Sequence, residues 1–189
     1  MPLSLRIRPS THVAFLRAIN VGGHGLIKMS DLRDAFAEAG ASGVKTYIQS
    51  GNVVFDAPGA TAPLIVKRVH TRLRALLGED PVVIYRSARA LERTLAENPF
   101  KGAPADRAAK LYATFLLGKP KVMPTLPHVW EKEGVEVVAI RGLDLFVVSR
   151  PLKDGRYGFP NVPVEKALGV MATSRNTSTL AKVVQLARD

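Results

Sequence analysis

The chain has 189 residues, of which 47% are hydrophobic, so it is long and apolar enough to bury a core. It contains no cysteine, which excludes disulfide bonds, thiolate metal sites and catalysis by a cysteine nucleophile. The formal net charge of +11 favours polyanions, phosphorylated small molecules or anionic surfaces as partners, although the excess is spread along the chain and forms no basic tail.

The first half of the chain predicts strands and helices in the order β-α-β-β-α-β. Val13 to Val21 is apolar and rich in β-formers, and it predicts a strand that runs into the loop Gly22-Gly23-His24-Gly25. Ser30 is expected to N-cap a helix that stops at Gly40. The later elements are a hairpin of Val44 to Ile48 and Asn52 to Phe55 around Gln49-Ser50-Gly51, a helix from Thr61 to Leu77 with Leu73 and Leu76 on its apolar side, and a strand from Val82 to Tyr85.

The second half partly repeats this order after a helix from Ala88 to about Glu97. It predicts a strand from Lys110 to Leu117, a Pro-interrupted helical stretch through Trp130, a hairpin around Arg141-Gly142 and a last helix from about Thr177 to Ala187. The expected fold is therefore α+β, with two related ferredoxin-like α/β sandwich halves, the second lacking an obvious final strand. We place the first subdomain with its connecting helix at residues 1–97 and the second at 98–189.

The order of the strands predicts where a site lies. In a split βαβ unit the third strand runs antiparallel between the first two, so the turn after strand one and the hairpin turn emerge at the same end of the sheet. Asn20 to Gly25 and Gln49 to Asn52 should therefore be neighbours. Their amides, hydroxyl and backbone N–H groups predict an anion site at this edge.

Each candidate residue at this edge also has a structural interpretation. Arg17 interrupts the apolar strand, so it either extends to the sheet edge, pairs with an acid or contacts an anionic ligand. Lys28, just before the first helix, either reaches a bound phosphate or faces solvent. The loop residues Gly22 and Gly23, and the turn residues Gln49, Ser50 and Asn52, are also what ordinary turns contain.

Two basic segments are further candidates. The helix from Thr61 to Leu77 carries the densest basic cluster, which either tracks a nucleic-acid backbone or forms a solvated face: Lys67, Arg68, Arg72 and Arg74. Near the C-terminal helix, Arg175 and Asn176 lie among hydroxyl residues at a helix start. Free N–H groups at such a start suit an anion, although N-capping alone explains the small polar residues.

Other site types find no support in the residues. The four histidines are scattered without metal-ligand spacing, no phosphate-binding glycine motif is present, and no catalytic dyad is recognisable. We therefore expect no metal and no cofactor, and leave enzymatic activity and oligomeric state open. Met1 to Ser10 has no apolar core of a signal peptide, and no stretch approaches the roughly 18 apolar residues that span a bilayer, so we expect a cytoplasmic protein without membrane contact.

Three segments carry a further signal: Phe15 to Met29 (FLRAINVGGHGLIKM), Thr46 to Phe55 (TYIQSGNVVF) and Glu165 to Lys182 (EKALGVMATSRNTSTLAK). In this order they resemble the bacterial domain-of-unknown-function family 1697. The resemblance implies two related ferredoxin-like subdomains and no established activity. It favours one shared site for the matching polar residues: Arg17, Asn20, Gly22, Gly23, Lys28, Gln49, Ser50, Gly51, Asn52, Arg175 and Asn176. The chain departs from the family pattern at Ala18, where Gly is favoured, and at Thr177 and Ser178, where Trp and Asn are favoured.

Two functions are compatible with these observations. The first is binding of an anionic, phosphate-bearing partner such as nucleic acid, favoured by the charge and the basic helix. It lacks an RNA-binding aromatic motif, and Phe15 and Phe55 are expected in the core. The alternative is an enzyme or sensor for a small phosphorylated or carboxylated metabolite, with its site at the Arg17 edge of the sheet.

Overall fold

A computed structural model describes residues 10–20, 26–58, 60–103 and 108–189 of the chain. Within these ranges it contains two antiparallel β-sheets and five α-helices, which confirms the expected mixture of helices and strands. The chain divides into two compact units. The first comprises the residues up to Ala90 together with Val183–Asp189, and the second comprises Leu91–Lys182.

The sheet of the first unit has the strand order β2-β3-β1-β4, with antiparallel neighbours throughout. Its elements are β1 (Ser10–Leu16), α1 (Met29–Glu38), β2 (Ser42–Tyr47), β3 (Asn52–Ala57), α2 (Ala62–Leu77) and β4 (Val83–Ser87), followed by α3 (Ala88–Ala96). Because β1 and β2 both run antiparallel to β3, they point in the same direction. The connection after β1 and the turn after β2 therefore leave the sheet at the same edge.

Alternation along β1 places Ala14 and Leu16 on the face that packs against α1 and α2. From α1, Leu32 and Phe36 contribute to this core, four residues apart on one side of the helix. The α2 residues that complete it repeat at helical spacing: Ile65, Val69 and Leu73. Burial of these side chains holds both helices on one face of the sheet.

The two helix starts differ in how well the sequence predicts them. Thr61 occupies the N-cap of α2 and Gly78, with φ of 70°, its C-cap, as expected. At α1, however, the N-cap is Lys28, and Ser30 lies inside the first turn, where its hydroxyl donates to Asp31 Oδ1 at 3.1 Å. The expected cap at Ser30 is wrong because the helix begins one residue before it.

The second sheet has the order β6-β7-β8-β5-β9, again with antiparallel neighbours. Its elements are β5 (Lys110–Leu116), β6 (His128–Trp130), β7 (Val135–Arg141), β8 (Asp144–Ser149), α4 (Asn161–Leu168), β9 (Ala172–Asn176) and α5 (Thr177–Leu186), with a 3-10 turn at Glu131–Glu133. If β6 is left aside, the strands β5, β7, β8 and β9 take the positions that β1, β2, β3 and β4 have in the first sheet. Strand β6 adds one strand at the edge next to β7.

The second unit corrects two sequence predictions. It has a final strand, β9, which was not expected because its residues are mostly polar. Its buried polar side chains find partners: Ser174 Oγ donates to Asn161 Oδ1 at 2.6 Å and lies 2.8 Å from Thr114 Oγ1. The expected helical stretch before Trp130 is also wrong. Prolines at 120, 124 and 127 remove backbone donors there, and the chain enters strand β6.

The helices of the described ranges include none that is long and apolar enough to cross a membrane. In the same ranges, no three His, Cys, Asp or Glu side chains lie close enough together to hold a metal ion.

Candidate functional site

The connection after β1 and the β2–β3 turn meet at one edge of the first sheet. A backbone hydrogen bond fixes this meeting, since Leu16 N donates to Gly51 O at 2.8 Å. On its other side, Arg17 N donates to Val82 O, just before β4, at 3.0 Å. Asn20 Nδ2 donates to Gln49 O at 3.0 Å. The expected proximity of Asn20 and the hairpin turn is thus confirmed, while Gly22 and Gly23 lie outside the described residues.

Asn20 organises this edge through three hydrogen bonds. Besides its bond to Gln49 O, Nδ2 donates to Ile27 O at 3.0 Å, and Oδ1 accepts from Ile27 N at 2.9 Å. One side-chain amide therefore joins both ends of the loop before α1 to the hairpin turn. Because its amide donates to and accepts from backbone groups, the side chain of Asn20 stabilises the backbone conformation at this edge.

The backbone at this edge adopts left-handed conformations that residues other than glycine rarely take. Ala18 and Asn20 have φ of 55° and Ile48 has φ of 49°, and only Asn98 does so elsewhere among the described non-glycine residues. For a β-branched residue such as Ile48 this conformation is unfavourable. Strain of this kind concentrates at binding and active sites, so its position marks the edge as a candidate site.

A cleft of about 470 Å³ opens beside these residues. The polar side chains that line it, among the described residues, are Asn20, Lys28, Asp31 and Gln49; the apolar ones are Leu26, Ile27, Met29 and Leu76. Leu26 is 70% exposed and Leu76 is 46% exposed, so two large apolar side chains face solvent here. The volume lies within the usual range of small-ligand sites, roughly 300–1,000 Å³.

The sequence pattern of a family described as "Protein of unknown function (DUF1697)" matches residues 10–146. The chain belongs to this family. The conserved bacterial protein SP0830 from Streptococcus pneumoniae has a similar structure, with a TM-score of 0.68 and 18% sequence identity, over 95% of this chain and 99% of that chain. At this identity the likeness shows a shared fold. The comparison with curated proteins finds no match.

The backbone conformation at position 18 gives a physical reason to expect glycine there. Ala18 lies in the left-handed region, where a Cβ is unfavourable and glycine is not. The same turn corrects the prediction that Arg17 lies within a strand: β1 ends at Leu16, and Arg17 begins the turn. Its side chain is half-buried and is not among the described residues that line the cleft.

Ser50 lies in the hairpin turn, and Asn52 is the first residue of β3. Asn52 is fully buried, and its Nδ2 donates to Tyr47 O at 3.1 Å and to Ser50 Oγ at 2.9 Å. These bonds hold the turn closed. Neither residue lines the cleft in the described part of the chain, whereas Gln49, in the same turn, does.

Arg175 and Asn176 belong to the second unit. Arg175 is buried, and its Nη1 donates to Thr173 Oγ1 at 2.8 Å and to Ser174 O at 2.9 Å. Burial lowers the pKa of its guanidinium to about 10, so the group stays charged at neutral pH. Asn176 Oδ1 accepts from Thr179 N at 2.7 Å and from Ser178 Oγ at 2.9 Å, which is the geometry of an N-cap for α5.

The basic cluster on α2 is exposed, but most of it has partners. Arg68 Nη1 donates to Ala39 O at 3.2 Å, at the end of α1. Arg72 Nε lies 3.3 Å from Glu38 Oε2, and Arg74 Nε lies 3.7 Å from Asp80 Oδ1. Lys67 is exposed and has no side-chain partner among the described residues. Ion pairs between such exposed side chains contribute little to stability.

The sequence analysis missed the acid and the apolar side chains of the cleft. Asp31 looks like an ordinary acid of a first helical turn, where it favours the helix dipole. Leu76 was expected on the apolar side of α2, but Leu77 packs against the core instead, because it lies one turn after Leu73. Only the folded structure shows that the exposed Leu76 lines the same cleft as Lys28.

Proposed function

We propose that the protein binds a small carboxylated or phosphorylated metabolite in the cleft at the end of β1. The observation that carries this proposal is a cleft of small-molecule size beside backbone in left-handed conformations at Ala18, Asn20 and Ile48, where Asn20 is hydrogen-bonded to Ile27 and Gln49. Residues that hydrogen bonds already hold in place lose less conformational entropy when a ligand binds.

Lys28 is the cleft residue that would contact the anionic group. Its side chain is exposed at the N-cap of α1, and its ammonium has no partner among the described residues. The backbone of Lys28 serves α1 independently, since its carbonyl accepts from Leu32 N at 3.1 Å. Replacement of the side chain should therefore change charge at the cleft and leave the helix start in place.

The test is a thermal-shift panel of carboxylated and phosphorylated metabolites, followed by calorimetric titration of each compound that stabilises the protein. Lys28→Gln should weaken such a compound about tenfold or more, the loss expected for one charge-assisted contact. Lys166→Gln, which removes an exposed lysine of α4, is the matched control and should leave the affinity unchanged. A panel without any compound whose binding depends on Lys28 would contradict the proposal.

Binding of nucleic acid along α2 is the second candidate, favoured by four exposed basic side chains on one helix. Two features weigh against it. Three of those side chains already have partners, and the rings of Phe15 and Phe55 are fully buried, so they offer no surface for base stacking. Small-ligand binding therefore stands first.

We also infer that both units are variants of the ferredoxin-like arrangement. The strand order β2-β3-β1-β4 with two helices on one face supports this for the first unit. In the second unit the same order recurs, with strand β6 where the first unit has a helix between its first two strands.

A further inference from the structure

The cleft brings together two opposite charges that do not form an ion pair with each other. Lys28 and Asp31 both line it, three residues apart at the start of α1. Within the described chain, neither side chain forms an ion pair, and the one hydrogen bond of the Asp31 carboxylate comes from Ser30 Oγ at 3.1 Å. An acid at this helical position commonly accepts from the N-cap backbone, but Asp31 makes no such bond to Lys28.

The charges of Lys28 and Asp31 limit the net charge of a ligand that the cleft can balance. Lys28 and Asp31 are the only ionisable side chains among the described lining residues, so their formal charges cancel. A phosphate monoester carries about −1.5 to −2 at neutral pH and would leave charge uncompensated beside Asp31. A carboxylate carries one negative charge, which Lys28 alone balances. A positive group on the same molecule would then balance Asp31.

The rest of the lining favours an apolar body between these groups. Leu26 and Leu76 expose 70% and 46% of their surface at the cleft, and Ile27 and Met29 lie half-buried beside them. Covering exposed apolar surface is favourable by roughly 25 cal/mol per Å². A ligand without an apolar part would leave both leucines in water.

We infer that the ligand is a small zwitterion with an apolar body, such as an aliphatic or aromatic α-amino acid, whose carboxylate contacts Lys28 and whose ammonium contacts Asp31. This inference rests on the proposed function, because it names the class of ligand for the same cleft. It adds a role for Asp31 that anion binding alone does not require.

Three compounds that share the same hydrocarbon part test the two charged groups of the ligand separately. L-leucine carries both groups, 4-methylpentanoate lacks the ammonium, and 3-methylbutylamine lacks the carboxylate. Each is titrated into the ¹⁵N-labelled protein, and the amide signals of Asn20, Ile27 and Gln49 report on the cleft. The series is repeated with L-phenylalanine, 3-phenylpropanoate and 2-phenylethylamine. Leucine or phenylalanine should bind at least tenfold more tightly than its two analogues.

Two variants assign the contacts. Asp31→Asn should weaken the amino acid about tenfold, to the level of the matching acid, without weakening that acid. Lys28→Gln should weaken both. Equal binding of acid and amino acid, with no loss in Asp31→Asn, would overturn the zwitterion and leave the anion cleft standing. No shift of the cleft signals with any amino acid would overturn it as well, and the metabolite panel then decides the proposed function separately.

Discussion

His12 is a buried titratable side chain in the first unit. It is 6% exposed, its ring stacks on Phe55 with 5.4 Å between centroids, and it meets Tyr85 edge-on at 6.0 Å. Neither ring nitrogen has a hydrogen-bond partner among the described residues. Burial lowers the pKa of the imidazole below its ordinary 6.5, although the backbone of Ala57 and the carboxylate of Asp56 act in the opposite direction.

This lowered pKa predicts a loss of stability in acid. The unfolded chain binds the proton at higher pH than the folded chain, so the contribution of His12 is complete above pH 6.5 and is lost as the pH falls towards the folded pKa. Each unit of difference corresponds to about 1.4 kcal/mol. Urea unfolding between pH 7.5 and 5 should therefore show a steeper decline for the wild type than for His12→Phe. Parallel declines would contradict the assignment.

Ala18 offers a direct test of backbone strain at the cleft. With φ of 55°, its Cβ costs roughly 1–2 kcal/mol that glycine does not incur, while glycine loses about 0.5–1 kcal/mol through its greater freedom when unfolded. Ala18→Gly should therefore raise the free energy of unfolding by up to about 1 kcal/mol in urea titrations. Ala37→Gly, at an exposed position inside α1, is the control and should lower it by about 1 kcal/mol. A loss in both variants would argue against strain.

Among the elements, the β2–β3 turn depends on the absence of one side chain. Gly51 has φ of 72°, and a Cβ there would lie 2.8 Å from Leu16 Cβ and 3.3 Å from Ile19 Cβ. Gly78 has nearly the same φ, 70°, but nothing within 4 Å of such a Cβ. Substitutions at these two positions therefore separate the free-energy cost of the left-handed conformation from the cost of steric crowding.

Gly51→Ala should destabilise the protein by about 2–4 kcal/mol, because the left-handed conformation and the overpacking both act there. Gly78→Ala should cost up to about 1 kcal/mol, because the roughly 1–2 kcal/mol of conformational strain is partly offset by the roughly 0.5–1 kcal/mol that alanine saves in the unfolded chain. Chemical unfolding of both variants measures the difference. Equal losses would mean that Leu16 and Ile19 make room for the added methyl group without cost.

Regular patterns in the sequence predicted most elements of the first unit. Helical spacing of apolar residues identified α1 and α2, and the Gln49-Ser50-Gly51 turn identified the hairpin. Strand β9 carries no such pattern, because its buried Thr173 and Ser174 are polar, and the hydrogen-bond partners of the Ser174 hydroxyl, Thr114 and Asn161, belong to other elements. A strand of this kind is recognisable only once its partners are in place.

The candidate site was only partly predictable for a similar reason. The order of the strands placed Asn20 beside Gln49, and Lys28 was recognised as a possible contact. The left-handed turn after Leu16 was not foreseen, because three apolar or β-forming residues around Ala18 favour a continued strand. The hydrogen bonds of the Asn20 side chain to Ile27 and Gln49 stabilise the turn against that local preference.

At the scale of the whole molecule, the net charge of +11 predicts weak, non-specific attraction to polyanions that falls steeply with salt. Anisotropy of labelled RNA and DNA at about 50 and 200 mM salt measures it. Replacing Lys67, Arg68, Arg72 and Arg74 by Gln should weaken this attraction no more than the same change at four exposed lysines of the second unit, Lys119, Lys121, Lys153 and Lys166. A selective loss in the α2 variant would instead favour a nucleic-acid surface on that helix.

The irregular pairing of β2 with β3 bears on the resistance of the protein to aggregation. β2 lies at an edge of its sheet, where unpaired backbone groups can template the addition of another chain. Its pairing with β3 is irregular between Ser42 and Lys45, and Gly43 in this bulge has φ of 58°. Such a bulge twists the strand and interrupts the regular spacing of its backbone groups. It therefore discourages the intermolecular β-pairing that begins aggregation.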